Sequence, residues 1–109
     1  MSLNDSIATM ITPVELCDTN WITDTNVNAY SCPGWYDYQL LVVQYCYYGN
    51  VLETVVVSTD FFNTTSSGKR VLMQEQNLAV YVKDRSSIYI QYSATAQYRK
   101  VVIMGVLKK

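Results

Sequence analysis

The feature of this sequence that most restricts its fold is a segment with apolar residues on both faces of a predicted strand. Residues 37–48 read DYQLLVVQYCYY. Successive side chains of an extended chain point to opposite sides, so Leu40 and Val42 share one face while Leu41 and Val43 share the other. A strand that is apolar on both sides needs cover on both, which a β-sandwich or a subunit interface provides.

A turn signal ends this segment. Gly49 and Asn50 separate it from a second β-branched segment, VLETVVV, which begins at Val51. Glycine at the first position of a two-residue loop tolerates the positive φ of a type II′ turn. The sequence therefore predicts a β-hairpin with its turn at Gly49 and Asn50.

Further segments with period-two alternation predict a domain built from short strands. They comprise residues 71–74, 78–82, 87–92 and 98–107, with two weaker candidates, 6–11 and 14–17, on either side of Pro13. Gly105 within the last strand predicts a bulge or the close approach of another group. One helical turn is expected near residues 58–62, where Ser58 or Thr59 is a suitable N-cap.

The spacing of these strands and turns indicates the fold class. Short strands at this spacing are typical of a sandwich, a jelly roll or a small barrel. We expect an all-β, jelly-roll-like β-sandwich in which residues 1–109 form a single domain. Residues 1–34 are its loop-rich part, with 19–28 mostly loop, and residues 35–109 hold the core strands.

Charge and composition remove several classes of function. The chain of 109 residues has a formal net charge of −1, which gives no electrostatic basis for binding nucleic acid. Its apolar runs are far shorter than the roughly 18 residues of a membrane-spanning helix, so no membrane insertion is expected. It contains no histidine, which excludes Ser–His–Asp and Cys–His catalytic sets. We expect a protein that is not an enzyme and needs no metal or other cofactor.

The three cysteines, Cys17, Cys32 and Cys46, do not form a metal-binding motif. No CxxC pair is present, and no histidine can complete a zinc site. Small buried thiols are their expected state. A Cys17–Cys32 disulfide is the alternative that the sequence leaves open.

Aromatic residues are the strongest functional signal in the chain, which holds ten tyrosines and two tryptophans. Tyr and Trp combine an apolar ring with a polar tip, which suits sugar stacking and protein interfaces. Because loops carry recognition on β scaffolds, Trp21, Trp35 and Tyr36 are the candidate ligand-binding residues. The alternative for each is an anchoring role, with the ring packed inward.

The two-sided apolar segment also predicts self-association. A domain of this size has little mass with which to cover both sides of the strand, and association with further copies in a closed ring solves that problem. We expect a homotrimer. The predicted interface residues are Tyr38, Leu40, Val42, Tyr45 and Tyr47.

Three short patterns occur between residues 35 and 109. Tyr38 with residues 40–43 matches Y-x-L-L-V-V, residues 57–62 match V-x-x-x-x-F, and residues 101–108 match V-x-I-x-G-[IV]-x-[KR]. In these patterns the chain resembles the C-terminal head domains of bacteriophage tail fibres and related virion appendages. The resemblance implies a trimeric β-sandwich that recognises a receptor, often a cell-surface glycan, and it brings no catalytic residues.

Three functions follow as hypotheses. The first is a phage head domain, located in the virion, that recognises a glycan or protein on the host surface. The second is a structural protein that decorates the virion or assembles a fibre without a receptor of its own. The third is a bacterial carbohydrate-binding or adhesin module. Exposed Trp or Tyr side chains in a groove with Asn, Asp or Gln nearby favour the first.

Overall fold

The computed structural model describes residues 12–109. Eight strands form within this part of the chain, together with a 3₁₀ helix at Trp35–Asp37 and a short helix, α1, at Thr59–Phe62. The strands are β1 (Val14–Asp18), β2 (Asn28–Ser31), β3 (Tyr38–Tyr47), β4 (Asn50–Ser58), β5 (Val71–Met73), β6 (Leu78–Asp84), β7 (Ser87–Tyr92) and β8 (Arg99–Lys108). The predicted strand 6–11 lies outside the described residues.

The strands form two antiparallel sheets, in the orders β1-β8-β3-β4 and β2-β7-β6-β5. Their facing sides enclose one core, and the prediction of an all-β sandwich is confirmed. The largest fully buried side chains come from both sheets and from the loops, and include Trp35, Phe62, Leu41, Met73, Leu78, Ile88, Ile90 and Ile103.

The β3–β4 hairpin forms as predicted, but its turn lies one residue earlier. Tyr47 pairs with Asn50, so the loop residues are Tyr48 and Gly49, with φ of 51° and 80°. Positive φ at both positions is the pattern of a type I′ turn, whose twist matches that of the strands. The predicted type II′ turn at Gly49 and Asn50 was wrong because glycine takes the second loop position, and Tyr48 is forced into the left-handed region.

The predicted helical turn after β4 is confirmed, and Ser58 is its N-cap. The Ser58 hydroxyl accepts a hydrogen bond from the Phe61 N–H at 3.1 Å. This turn places Phe62 in the core, where its ring centre lies 5.2 Å from that of Trp35 at an interplanar angle of 84°. The cap therefore fixes an edge-to-face aromatic pair that closes one end of the sandwich.

The loop-rich N-terminal part supplies one edge strand to each sheet. β1 confirms the predicted strand 14–17, whereas β2 was not predicted, because NAYS has neither apolar alternation nor β-branched residues. Asn28 pairs with Ile90 and Ser31 with Ser87, so the backbone ladder with β7 defines this strand. Tertiary pairing therefore outweighs weak intrinsic preference here.

Gly105 confirms the predicted close approach. A Cβ atom at this position would lie 2.5 Å from carbon atoms of the Tyr38 ring. Only glycine lets the ring cover the strand so closely, which fixes the relative position of β3 and β8 at this end.

All three cysteines are free and buried, as predicted. Cys17 follows the bulge in β1, and Cys32 follows β2, so the two come from opposite sheets. A hydrogen bond from the Cys32 thiol lowers the pKa of Cys17 and raises that of Cys32. Within residues 12–109, no helix is long and apolar enough to cross a membrane.

Candidate ligand-binding site

Three loops at one end of the sandwich bring three exposed aromatic residues together. Trp21 follows β1, Tyr48 belongs to the β3–β4 turn and Tyr98 immediately precedes β8. They are 47%, 57% and 48% exposed, respectively. The Trp21 and Tyr98 ring centres lie 6.2 Å apart at 79°, and those of Tyr48 and Tyr98 lie 4.8 Å apart. We call Trp21, Tyr48 and Tyr98 the aromatic corner.

The backbone of the aromatic corner adopts conformations that non-glycine residues rarely take. Asn20, Tyr48 and Tyr98 have φ values of 57°, 51° and 57°. Each left-handed residue of this kind costs about 1–3 kcal/mol and persists only where its surroundings enforce it. The Tyr48 N–H donates to the Tyr98 carbonyl at 2.8 Å, and the Asn20 side chain accepts from the Trp21 N–H at 3.0 Å. The rings are therefore held by their backbone rather than by burial.

Hydrogen bonds to β8 hold in place the loop that follows β1 and carries Trp21. The Thr19 N–H donates to the Val101 carbonyl at 3.1 Å, and its hydroxyl accepts from the Val101 N–H at 3.0 Å. The Ile22 N–H donates to the Arg99 carbonyl at 2.9 Å, and the Ile22 side chain is buried. The exposed Trp21 thus lies between Thr19 and Ile22, whose backbones are both hydrogen-bonded to β8.

A groove of about 260 Å³ lies between the Trp21 and Tyr98 rings. Thr23 and Gln97 complete its lining, so none of the lining residues is charged. The hydroxyl of Thr23 and the amide of Gln97 have no hydrogen-bond partner among the described residues. Both groups can donate and accept, as an amide or hydroxyl ligand requires. The groove therefore offers two aromatic faces and two uncommitted polar groups.

The charged groups beside the groove are paired with each other. The Lys100 ammonium lies 3.0 Å from a carboxylate oxygen of Asp18 and 5.4 Å from the centre of the Trp21 ring. Burial raises the pKa of Asp18, but the Asn20 N–H and the Lys100 ammonium outweigh it, so the pKa lies below its ordinary value. The Asp18 carboxylate therefore stays ionised and paired with the Lys100 ammonium.

Arg99, immediately after Tyr98, is buried and structural. Its Nε donates to the Ile22 carbonyl at 3.1 Å and its Nη2 to the Asp24 carbonyl at 3.2 Å. The guanidinium also lies 3.7 Å from the centre of the Tyr92 ring. Two of its donors therefore hold the Trp21 loop, and its face packs on Tyr92 of β7.

The three predicted ligand-binding residues do not meet. Trp21 lies in the aromatic corner, but Trp35 is fully buried and donates its indole N–H to the Asp84 carbonyl at 3.1 Å, so it presents no surface to a ligand. Tyr36 is half-buried, with the Arg85 guanidinium 4.5 Å and the Lys109 ammonium 5.3 Å from its ring centre. Trp35 and Tyr36 lie at the far end of β8, roughly 30 Å from Trp21 for a ten-residue strand.

The predicted interface residues divide between core and surface. Tyr45 is 8% exposed and packs in the core against Tyr92, so it does not belong to an outer surface. Tyr47 packs against the core and the Tyr48 ring, and Tyr38 covers Gly105. Only Leu40 and Val42 lie on the outer face of the first sheet. The sequence could not separate the two faces because both are apolar.

The outer face of the first sheet is an apolar surface of its own. By register, Leu40 and Val42 of β3 lie beside Val56 of β4 and beside Val106 and Met104 of β8. Val56 is 57% exposed, and the other four are half-buried. One side of the two-sided apolar strand is thus in the core, while the other keeps part of its surface accessible.

The sequence analysis did not assign Tyr48, Tyr98, Thr23 or Gln97 to a site. The available signal was positional, because Tyr48 adjoins the glycine of a hairpin turn and Tyr98 begins a strand after a polar turn. Aromatic residues at the ends of strands gather where loops converge. The positions of these residues in the sequence do not show which loops lie at the same end of the sandwich.

Among residues 12–109, no group of three or more Cys, Asp or Glu side chains is arranged to hold a metal ion. Asp24, which follows the groove residue Thr23, accepts instead from the Asn26 N–H and the Asn28 amide, each at 3.0 Å. No protein-family model, curated protein or solved structure matches the chain.

Proposed function

We propose that the protein is a non-enzymatic binding domain that recognises a glycan on a host cell surface through the aromatic corner. The observation that carries this proposal is the exposed Trp21 ring, held at 79° to Tyr98 over a groove whose other lining residues are Thr23 and Gln97. Sugars present an apolar ring face and a rim of hydroxyl groups. Aromatic faces beside uncommitted polar groups match both features.

The biological setting we propose is the head of a bacteriophage tail fibre or a related virion appendage. The sequence patterns at Tyr38, residues 57–62 and residues 101–108 supply this part of the proposal. Loops carry recognition on β scaffolds, and the aromatic corner consists of loops at one end of the sandwich. A bacterial adhesin module would use the same chemistry, and the genes next to this one distinguish the two settings.

Binding to immobilised glycans tests the proposal. Presented as a multivalent complex to raise avidity, the wild-type protein should bind a subset of glycans on an array. Trp21→Ala should lose that signal while keeping its fold. Phe61→Ala is the matched control, because Phe61 is also an exposed aromatic residue, 43% exposed, but lies in α1 at the opposite end. Equal binding by wild type and Trp21→Ala would refute the assignment.

A second candidate function is assembly, and the apolar outer face of the first sheet favours it. Leu40, Val42 and Val56 lie side by side across β3 and β4 with no charged residue among them. A contiguous apolar patch on a small domain marks an interaction surface. In this function the outer face joins copies of the chain into a decoration or fibre, and the expected oligomer is the homotrimer.

Molar mass in solution tests the assembly. Multi-angle light scattering at micromolar concentration should give three times the chain mass of 12.5 kDa. Val56→Lys should shift the protein toward the monomer. Leu72→Lys is the control, because Leu72 is 45% exposed on the other sheet. A monomeric wild type would exclude this function.

The jelly-roll-like topology is also a proposal. In a jelly roll the chain folds as one long rolled hairpin, so the first strand pairs with the eighth and the second with the seventh. β1 pairs with β8, and β2 with β7, as that description requires. The β3–β4 and β5–β6 hairpins stay within single sheets and depart from it. The β1–β8 and β2–β7 pairs support the likeness to a jelly roll, whereas the β3–β4 and β5–β6 pairs differ from it.

A further inference from the structure

We infer that the aromatic corner selects an electrically neutral glycan and receives it through one pyranose ring, discriminating against sialylated, uronic or sulfated sugars. The inference rests on the proposed function and specifies its ligand class. It follows from the charges around the groove and from the groove's size.

Among residues 12–109, an anionic sugar would find no unengaged cation beside the groove. Lys100 is engaged by Asp18 at 3.0 Å, and Arg99 is buried with its guanidinium donating to the carbonyls of Ile22 and Asp24. Sites built for carboxylate or sulfate normally present an uncommitted Arg or Lys, because the charge-assisted bond offsets desolvation of the anion. Here an anionic sugar would have to compete with the Asp18 carboxylate for the Lys100 ammonium.

The residues next to the groove in sequence also carry no net positive charge. Asp18 lies two residues before Asn20, whose N–H it accepts at 2.8 Å, and Asp24 directly follows the groove residue Thr23. Lys100 already balances the charge of Asp18, so an added carboxylate on the ligand would gain no net attraction from this pair. A neutral sugar needs only hydroxyl partners, which Thr23 and Gln97 can be.

The dimensions of the groove fit one sugar ring. Its volume of about 260 Å³ is below the range of roughly 300–1,000 Å³ that is typical of drug-sized ligands. Trp21 and Tyr98 stand at 79°, so a flat ring stacked on one of them meets the face of the other with its edge. Further sugars of an oligosaccharide would extend past Tyr98 onto Tyr48, whose ring centre is 4.8 Å away.

The test is an array of matched glycan pairs, for example lactose with 3′-sialyllactose, and neutral with sulfated or uronic forms of the same core. The probes are the multivalent wild-type protein and its Trp21→Ala variant. We expect Trp21-dependent signals on neutral members, with the anionic partners of the same cores about fivefold to tenfold weaker. Fold retention is checked by thermal unfolding of both proteins.

A charge variant tests the cause of the selectivity. Asp18→Asn keeps an oxygen that can accept from the Asn20 N–H but releases Lys100. The difference in array signal between neutral and anionic members of each pair should therefore decrease. Asp84→Asn, at the Trp35 end, removes the same charge and should leave the preference unchanged. Trp21-dependent binding that favours anionic glycans would overturn this inference and leave the proposed function standing. Absence of Trp21-dependent binding to any glycan would overturn both.

Discussion

The two tryptophans occupy opposite ends of the sandwich and have opposite environments. Trp35 is 0% exposed, packs edge-to-face on Phe62 at 5.2 Å and donates its indole N–H to the Asp84 carbonyl. Trp21 is 47% exposed, and its indole N–H has no partner among the residues the structure describes. One ring completes a core, whereas the other is presented to solvent on a fixed backbone.

The two environments give the two side chains different effects on stability. A buried Trp stabilises the fold through its large apolar surface, and its N–H needs an internal partner, which Asp84 supplies. An exposed Trp contributes little to stability. The Trp21 end holds Asn20, Tyr48 and Tyr98 in the left-handed region, and Leu107 has the same conformation at the Trp35 end. At Tyr48 and Tyr98 this backbone conformation costs stability and fixes the rings of the aromatic corner.

The largest expected effect is on stability, at the Trp35 end. Trp35→Ala should lower the free energy of unfolding by about 3–5 kcal/mol, because it leaves a cavity beside Phe62 and an unpaired Asp84 carbonyl. Urea denaturation followed by circular dichroism measures the loss. A decrease below about 1 kcal/mol would show that the Trp35 end is not the packed one.

The next effect is on binding, at the Trp21 end. Trp21→Ala should weaken glycan binding by about 2 kcal/mol, roughly 30-fold, as expected for a central aromatic contact. Its free energy of unfolding should change by about 1 kcal/mol or less, well below the loss at Trp35, since nearly half of the side chain is exposed. Calorimetric titration and denaturation of the same variant give both values. A large loss of stability would make Trp21 a structural residue like Trp35.

A third variant tests how the Tyr38 ring packs on Gly105, at the Trp35 end of the sandwich. Gly105→Ala places a methyl group 2.5 Å from the Tyr38 ring and should destabilise the fold by about 1–3 kcal/mol. Adding Tyr38→Ala removes the obstruction, so the double variant should lose less than the sum of the two single losses. Strictly additive losses would mean that the Tyr38 ring does not constrain Gly105.

The smallest effect is a pH dependence at the Trp21 end. A carboxyl group whose pKa is lower in the folded state stabilises the fold above its unfolded pKa of about 3.9, and this contribution disappears as the pH falls through the folded value. The Asp18–Lys100 pair is partly exposed, so Asp18→Asn should cost only about 0.2–1 kcal/mol at pH 7 and nothing below both pKa values. Thermal melts at a series of pH values from 7 downward measure it: the difference between the two proteins should shrink as the pH falls, and a pH-independent difference would contradict this assignment.

The strands were predictable because their alternation, β-branched residues and turn glycines agree from β3 onward. Ser58 as a helix cap and Gly105 as a close contact were also predictable, since each rests on one local requirement. β2 was missed because its pairing with β7 depends on a distant strand.

The site was predictable only in part, through Trp21. Its neighbours Tyr48 and Tyr98 lie 27 and 77 residues further along the chain, and only sheet topology brings them to the same end. Local composition also gave no way to separate Trp21 from Trp35. The difference arises from Phe62 and Asp84, which approach Trp35 from other parts of the fold.

The indole N–H signals of the two tryptophans test the central claim most directly. In a ¹⁵N–¹H correlation spectrum, the neutral glycan that gives the strongest array signal should be titrated into wild-type protein, with Trp21→Phe and Trp35→Phe variants to assign the two signals. The Trp21 signal should shift progressively to saturation while the Trp35 signal stays in place. A Trp21 signal that stays unchanged while residues elsewhere shift would show that the aromatic corner is not the binding site.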